Sequence, residues 1–406
     1  MENDENKKPL LILNFDINKT IILGDKSKNF DVKDGIRSAI VEYSWGKYDE
    51  SSKNWTLTEN YLSLKKPKPD LMNYDKYLKK IYTNKTEKEI PDRDARYVKN
   101  NEIKKMREKV YLKFIEKGQP GEKLNDKYTE ILNKVKMPKN IMEEINKENS
   151  KYPSFYKDIF LNDYIFIFHS LFRTLIELKN KNRQFVLIFR TFGSDFDDVI
   201  KEFNSFCEGG HPIFNGENEK YPKQYFDGTH NSKDYRIIED NIGIIYRFDD
   251  NIKNTFLVLG TLNRLTVEKP DELLDYYKEQ VTEGKIKIIK GGKSIFEYIT
   301  DNSINGKINS FCINDHYSTW FKYDKKSICG KPMLVDPDNK NVEVFFFDDN
   351  IEESETSIVD CRNVITGESI KAKDFTDKFL VRADTLKAAE DEYYYLNKIE
   401  EAENKK

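Results

Sequence analysis

The chain has 406 residues, more than one simple core fills, and 68 Lys+Arg against 71 Asp+Glu give it a net charge of −3. That balance leaves the chain as a whole without a basic field, so neither nucleic acid nor an acidic membrane surface is expected as a partner. Charged residues make up 34% of the sequence, yet 13% aromatics supply enough apolar surface for a folded protein with very polar faces. Cys207, Cys312, Cys329 and Cys361 stand singly, without zinc-ligand spacing or a small disulfide framework, which points to reduced thiols in a cytosolic compartment. The start MENDENKK is acidic and polar where a signal peptide needs a basic and then an apolar stretch, and no apolar run approaches the ~20 residues of a membrane helix.

In chain order, the run Leu10 to Phe15 (LLILNF) predicts a strand covered on both faces of a parallel sheet, and it ends in Asp16. Residues 25–154 change texture, with Trp45 and Trp55 in strand-like sequence followed by lysine-rich helical segments such as Tyr97 to Lys117. They read as a mainly helical insertion. Asp163 to Lys179 has helical period, and Gln184 to Arg190 (QFVLIFR) predicts a second core strand, ending in Thr191. A turn at Gly193-Ser194-Asp195, with the serine or aspartate as cap, then leads into a helix over Phe196 to Phe206. Residues 206–289 read as a second, mixed insertion holding a hairpin in YRIIEDNIGIIYRF, with its turn at Asn241 to Gly243. Ser294 to Ile299 predicts a helix, Ile308 to Ile313 a strand, Val342 to Phe347 (VEVFFF) a last apolar strand running into Asp348 and Asp349, and Ser357 to Val359 a short further strand. Residues 385–406 form a charged, helix-prone tail whose YYYL stripe is a docking face. The expected fold is a doubly wound α/β core of residues 1–24, 155–205 and 290–384, interrupted by the two insertions.

Three buried-type strands thus end in Asp16, Thr191 and Asp348–Asp349, and in open α/β sheets ligands bind beyond the carboxyl ends of the strands. Other polar clusters are weaker. Gly291-Gly292-Lys293-Ser294 lacks the earlier glycine of a phosphate loop, because Lys287 stands there. His211, His230 and His316 have no partner at metal-ligand spacing. Asp249–Asp250 is a rival metal pair, set aside as a hairpin end.

Asp16-Ile17-Asn18-Lys19-Thr20-Ile21, Thr191 after its apolar strand, Lys331 in GKPMLVD and Asp348–Asp349 after VFFF resemble, in order, the four short motifs of the haloacid dehalogenase-like superfamily. The resemblance implies a Rossmann-like core with cap-type insertions and Mg²⁺-dependent phosphoryl transfer, most often hydrolysis of a phosphomonoester. In it Asp16 is the nucleophile. Asp16, the backbone carbonyl of Asn18, and Asp348 or Asp349 hold the cation, while Thr191 and Lys331 stabilise charge on the transferring group. Lys322, Lys325 and Lys326 are the alternatives to Lys331. The implied partner is a phosphorylated small molecule or phosphoprotein, with the insertions open to a protein partner. One position departs from the pattern: where these phosphatases usually carry an acid/base aspartate, two residues past the nucleophile, this chain has Asn18. That favours the alternative of a catalytically weak or silent scaffold.

Overall fold

Strands form where the sequence is continuously apolar and can be covered on both faces. The computed structural model describes residues 8–25, 29–217, 219–323, 325–351, 358–370 and 379–404. Its strands are β1 (Leu10–Asp16), β2 (Trp45–Asp49), β3 (Asn54–Leu57), β4 (Met72–Asn73), β5 (Phe185–Thr191), β6 (Ile242–Arg247), β7 (Thr255–Leu259), β8 (Lys287–Lys290), β9 (Ser310–Asp315), β10 (Lys331–Val335), β11 (Val342–Asp348), β12 (Val359–Asn363) and β13 (Leu380–Arg382). The chain divides into two compact units, one of Met1–Ile22 with Met137–Lys406 and one of Leu23–Lys136.

The larger unit is built on an eight-stranded sheet in the order β13-β11-β1-β5-β9-β6-β7-β8. Every adjacent pair is parallel except those β7 makes with β6 and β8. Helices flank it, among them His169–Asn180, Phe196–Cys207 and Gly292–Ile304, giving a mixed α/β fold with a mainly parallel central sheet. β1, β5 and β9 are buried along their whole length, as their unpunctuated apolar runs require. β10 and β12 form a separate parallel pair.

Residues 206–289 do not form a separate inserted body: they give the central sheet β6, β7 and β8. The hairpin expected in YRIIEDNIGIIYRF is absent, because Glu239–Asn241 is a 3₁₀ turn leading into β6, and β6 takes the distant β9 as its parallel partner. With β9 on one side and β7 on the other, Ile242–Arg247 is an inner strand of the sheet and most of it is buried. The Ser357 to Val359 expectation lies partly outside the described residues; the strand there is β12, beginning at Val359. The tail holds helices Thr385–Glu390 and Tyr394–Glu403, and Tyr395 is fully buried, edge-on to Phe15 at 4.9 Å and to Phe347 at 5.1 Å.

The smaller unit carries the antiparallel sheet β3-β2-β4 and helices Val32–Tyr43, Tyr74–Ile81, Arg93–Lys113 and Asn125–Lys134. Both tryptophans lie in strands, and Trp55, Tyr74 and Phe114 make its aromatic core, the last two stacked at 4.3 Å. The compact unit ends at Lys136, so residues 137–154, read from sequence as part of the insertion, group with the larger unit.

Candidate functional site

The parallel register fixes which polar groups share one end of the sheet. Phe15 pairs with Phe347 and Asp16 with Arg190, so Asp16 and Asp348 leave adjacent strands side by side at the carboxyl edge. β10 brings Lys331 to the same place, where its buried ammonium bridges Asp16 Oδ1 and, at 2.8 Å, Asp348 Oδ2. Asp16, Asp348 and Asp349 each offer an oxygen, all within 4.8 Å of one another, and all three residues are buried. Asn350 closes the loop after β11, its N–H donating to Asp348 Oδ1 at 2.9 Å and its side-chain amide to Asp349 Oδ1 at 2.7 Å. Of the four lysines considered from sequence, Lys331 alone makes these contacts. Lys322, Lys325 and Lys326 are exposed.

The turn after β1 is held from several sides. Ile17 C=O accepts from Ile21 N–H at 2.9 Å and Ile22 N–H at 3.2 Å, and Lys19 adopts φ 59°, a left-handed conformation costly for a residue with a Cβ. Lys19 is kept there by its N–H bond to Ile22 C=O at 2.8 Å and by Thr385 Oγ1 donating to its carbonyl at 2.6 Å. Thr20 Oγ1 donates to Asp16 Oδ2 at 3.3 Å and accepts from Asp349 N–H at 3.2 Å, tying the β1 and β11 ends together.

Asn18 and Thr191 stand on the β5 side. Thr191 Oγ1 accepts from Gly193 N–H at 2.8 Å. A Cβ at Gly193 would lie 3.0 Å from Asp195 Oδ2, 3.2 Å from Thr191 Oγ1 and 3.6 Å from Asn18 Oδ1, so the bare glycine lets these three side chains crowd one spot. Asp195, one of the two residues expected to cap the following helix, is its N-cap residue but makes no side-chain capping bond. It accepts instead from the Asn18 amide at 3.2 Å.

Beneath the site lies a buried polar layer that the sequence reading passed over. Arg190 pairs with Asp315, donating from Nε at 3.0 Å, and also donates to Asn14 Oδ1 and Pro332 C=O, each at 3.2 Å. Its signal was an asparagine inside LLILNF and an arginine inside QFVLIFR, polar residues that a fully buried strand keeps only when they are partnered.

Burial pushes the Asp16 carboxyl up to about 7, with Lys331 opposing that rise and Asp348 adding to it. Burial works against the Lys331 ammonium, but Asp16, Asp348 and Asp315 hold its pKa above the ordinary value. Three carboxylates to one ammonium, in a pocket of oxygen donors, is a set that suits a hard divalent cation.

The other sequence candidates do not join this group. His211 is buried against Glu202, His230 stacks on Tyr225 at 3.8 Å and His316 packs on Tyr246. Asp249–Asp250 lies in the loop that joins the antiparallel strands β6 and β7, a hairpin end as expected, although both strands belong to the central sheet. Asp249 accepts from Asn251 N–H and the Asn254 amide, both at 2.8 Å, as an ordinary turn does. Gly291, at φ 88°, makes the turn into the helix Gly292–Ile304. All four cysteines are buried and unbridged.

Fold and site together define a mainly parallel α/β protein with a buried carboxylate–lysine centre at the carboxyl edge of its sheet. Compared with protein-family models, curated proteins and solved structures, the chain matches none of them. No helix among the described residues is long and apolar enough to cross a membrane.

Proposed function

We propose that this chain is a haloacid dehalogenase-like, Mg²⁺-dependent phosphoryl-transfer protein that hydrolyses a phosphomonoester. The observation that carries the reading is the convergence of Asp16, Lys331, Asp348 and Asp349, from three different strands, on one buried point. Asp16, the backbone carbonyl of Asn18 and the Asp348–Asp349 pair would hold the cation, which when bound neutralises charge between carboxylate and phosphate. Asp16 would attack phosphorus as the ester P–O bond breaks, the leaving alkoxide taking a proton from water; a second water then attacks phosphorus, the bond to Asp16 breaks, and the proton this water sheds neutralises the hydroxide left by the first, giving alcohol, phosphate and free Asp16. Lys331, already hydrogen-bonded to Asp16, is placed to follow the phosphoryl oxygens as charge moves onto them, and Thr191 supplies a hydroxyl from the β5 side. Asn18 carries no acidic proton to exchange, but Asp195, hydrogen-bonded to its amide, brings a carboxylate to the same wall.

The test is Mg²⁺-dependent phosphate release from p-nitrophenyl phosphate, whose good leaving group needs little acid assistance. Release that stops on chelation and in Asp16→Asn is the expected result. No release, together with no calorimetric Mg²⁺ binding, would sink the reading and leave the second one, a silent scaffold, which Asn18 favours.

A further inference from the structure

The residue after Thr191 opens a feature that the phosphate chemistry does not use. Phe192 is half-buried, with its ring centroid 5.4 Å from Lys331 Nζ, so it stands at the phosphate end of the site. It stacks on Trp320, with centroids 4.9 Å apart and planes 9° from parallel. Tyr317 meets both rings edge-on, at 5.7 Å from Phe192 and 5.8 Å from Trp320, and stacks with Phe321 at 6.1 Å. The four rings belong to the segments following β5 and β9, neighbours in the sheet, so they line one side of the carboxyl edge. Phe192 and Trp320 pack on one side against the hydrophobic core, yet all four rings stay partly exposed. Cations accompany them. Exposed Lys325 sits 5.7 Å from the Tyr317 ring and 5.8 Å from that of Trp320, and exposed Arg264 donates to Phe192 C=O at 2.9 Å.

Resting on the phosphomonoester reading, we infer that this ledge is a stacking platform for the organic part of the substrate, and that the substrate is a nucleoside monophosphate. A planar ring joined to phosphate has a π-face that stacks on Trp320 and its neighbours whatever its edge chemistry. The platform extends from Phe192, beside Lys331, out to Trp320 and Phe321, so the ring it takes is set back from the phosphate by a spacer. A ribose is such a spacer; a simple aryl phosphate has none. Arg264 and Lys325 at the rim add attraction for a π-face and for residual negative charge.

The experiment uses adenosine 5′-monophosphate, ribose 5-phosphate and phosphotyrosine with the full chain in Mg²⁺. Trp45 and Trp55 are buried in the other unit, so the ligand-dependent fluorescence that disappears in Trp320→Leu belongs to Trp320. Adenosine monophosphate should quench the parent protein and Trp320→Phe should keep the nucleotide preference, whereas ribose 5-phosphate should quench neither. The kcat/KM ratio of adenosine monophosphate to ribose 5-phosphate should fall about tenfold in Trp320→Leu and be largely restored in Trp320→Phe, the scale expected for one stacked base. Phosphate release from both substrates with an unchanged ratio overturns the platform and leaves hydrolysis standing. Quenching lost in Trp320→Leu without release from any substrate keeps the platform and overturns hydrolysis. A preference for phosphotyrosine over adenosine monophosphate overturns the nucleotide assignment.

Discussion

Lys331 is the residue on which the buried acids depend. Removing one partner of a buried ion pair leaves a desolvated charge behind, typically at a cost of about 3–5 kcal/mol. Lys331→Met should therefore lose about 3 kcal/mol of unfolding free energy in chelator, whereas Lys326→Met, at an exposed position, should stay within about 0.5 kcal/mol of the parent. If Asp16, Asp348 and Asp349 hold a divalent cation, saturating Mg²⁺ should restore part of the loss; urea melts with and without Mg²⁺ that show equal deficits would contradict that role. The Asn18 position makes a second test. Asn18→Asp alone sets a new carboxylate against Asp195, whose Oδ2 is 3.2 Å from the Asn18 amide nitrogen, so repulsion offsets the benefit. Asn18→Asp with Asp195→Asn exchanges amide and carboxylate and removes the conflict. Turnover of an unactivated phosphomonoester should rise at least about tenfold in the double variant, within the range of acid–base assistance, and less in the single one. Equal rates in parent and double variant would remove proton transfer as the limiting step. The strand-end acids were legible because apolar runs ended in them. Asp195 stands at the N-cap position without a side-chain capping bond, and sequence does not show why, because the amide that donates to it, Asn18, is 177 residues away.

The helix Phe196–Cys207, which follows the Thr191–Asp195 loop, is pinned by a buried pair that sequence spacing does not show. Glu202 accepts from Ile167 N–H at 3.0 Å, and its other oxygen meets His211 Nε2 at 3.1 Å. Because His211 Nδ1 accepts from Ile213 and Phe214 N–H groups, the ring is neutral with its proton on Nε2, donating to Glu202. Burial lowers the His211 pKa from 6.5 to about 3. The unfolded chain therefore gains a proton here below pH 6.5 that the folded chain refuses. The contribution of His211 is complete above about pH 6.5 and is lost as pH falls towards 3, with a slope of about 1.4 kcal/mol per pH unit. His211→Gln keeps a donor for Glu202 and removes the titration, so between about pH 6 and 4 its unfolding free energy should fall less steeply than the parent's by that slope. Parallel slopes would mean that the ring already titrates normally in the folded state. Burial also raises the Glu202 pKa, which acts in the opposite direction, and it does so in both proteins, so the difference isolates the histidine. Strand partners were the least legible elements. LLILNF, QFVLIFR and VEVFFF announce central strands because both faces are covered, but β6 reads as the second strand of a hairpin turning at Asn241 to Gly243, whereas it is the first strand of the hairpin with β7 and pairs on its other side with β9. Its Asn-x-Gly reads as a turn, and a partner about 70 residues on, β9, leaves no mark on local pattern.

At the scale of the molecule, charge and connectivity divide along the same line. Of the chain's 68 basic and 71 acidic residues, 27 and 19 fall in 23–136, so this unit carries +8 and the remainder −11, a division that the near-neutral total conceals. The larger unit also holds both ends of the excursion close together. Ile22 bridges to Ile167, and Met137 N–H bonds to Asp163 C=O at 2.7 Å, so both ends attach within five consecutive residues of one segment. A chain of four residues spans at most about 14 Å, so a short flexible linker can rejoin Ile22 to Met137 without moving either. Every residue assigned to the cation and phosphate site lies in the larger unit, as do both strands that flank β1. Replacing 23–136 by a Gly/Ser linker should give a protein that melts cooperatively and still gains thermal stability from Mg²⁺, because a cation that binds only the folded site raises stability in proportion to its occupancy. It should also bind anion exchanger more strongly than the parent, having lost the basic unit. Cooperative melting with no Mg²⁺ response would mean that the inserted unit completes the cation site. Loss of cooperative melting would mean that the α/β unit cannot hold its core without it.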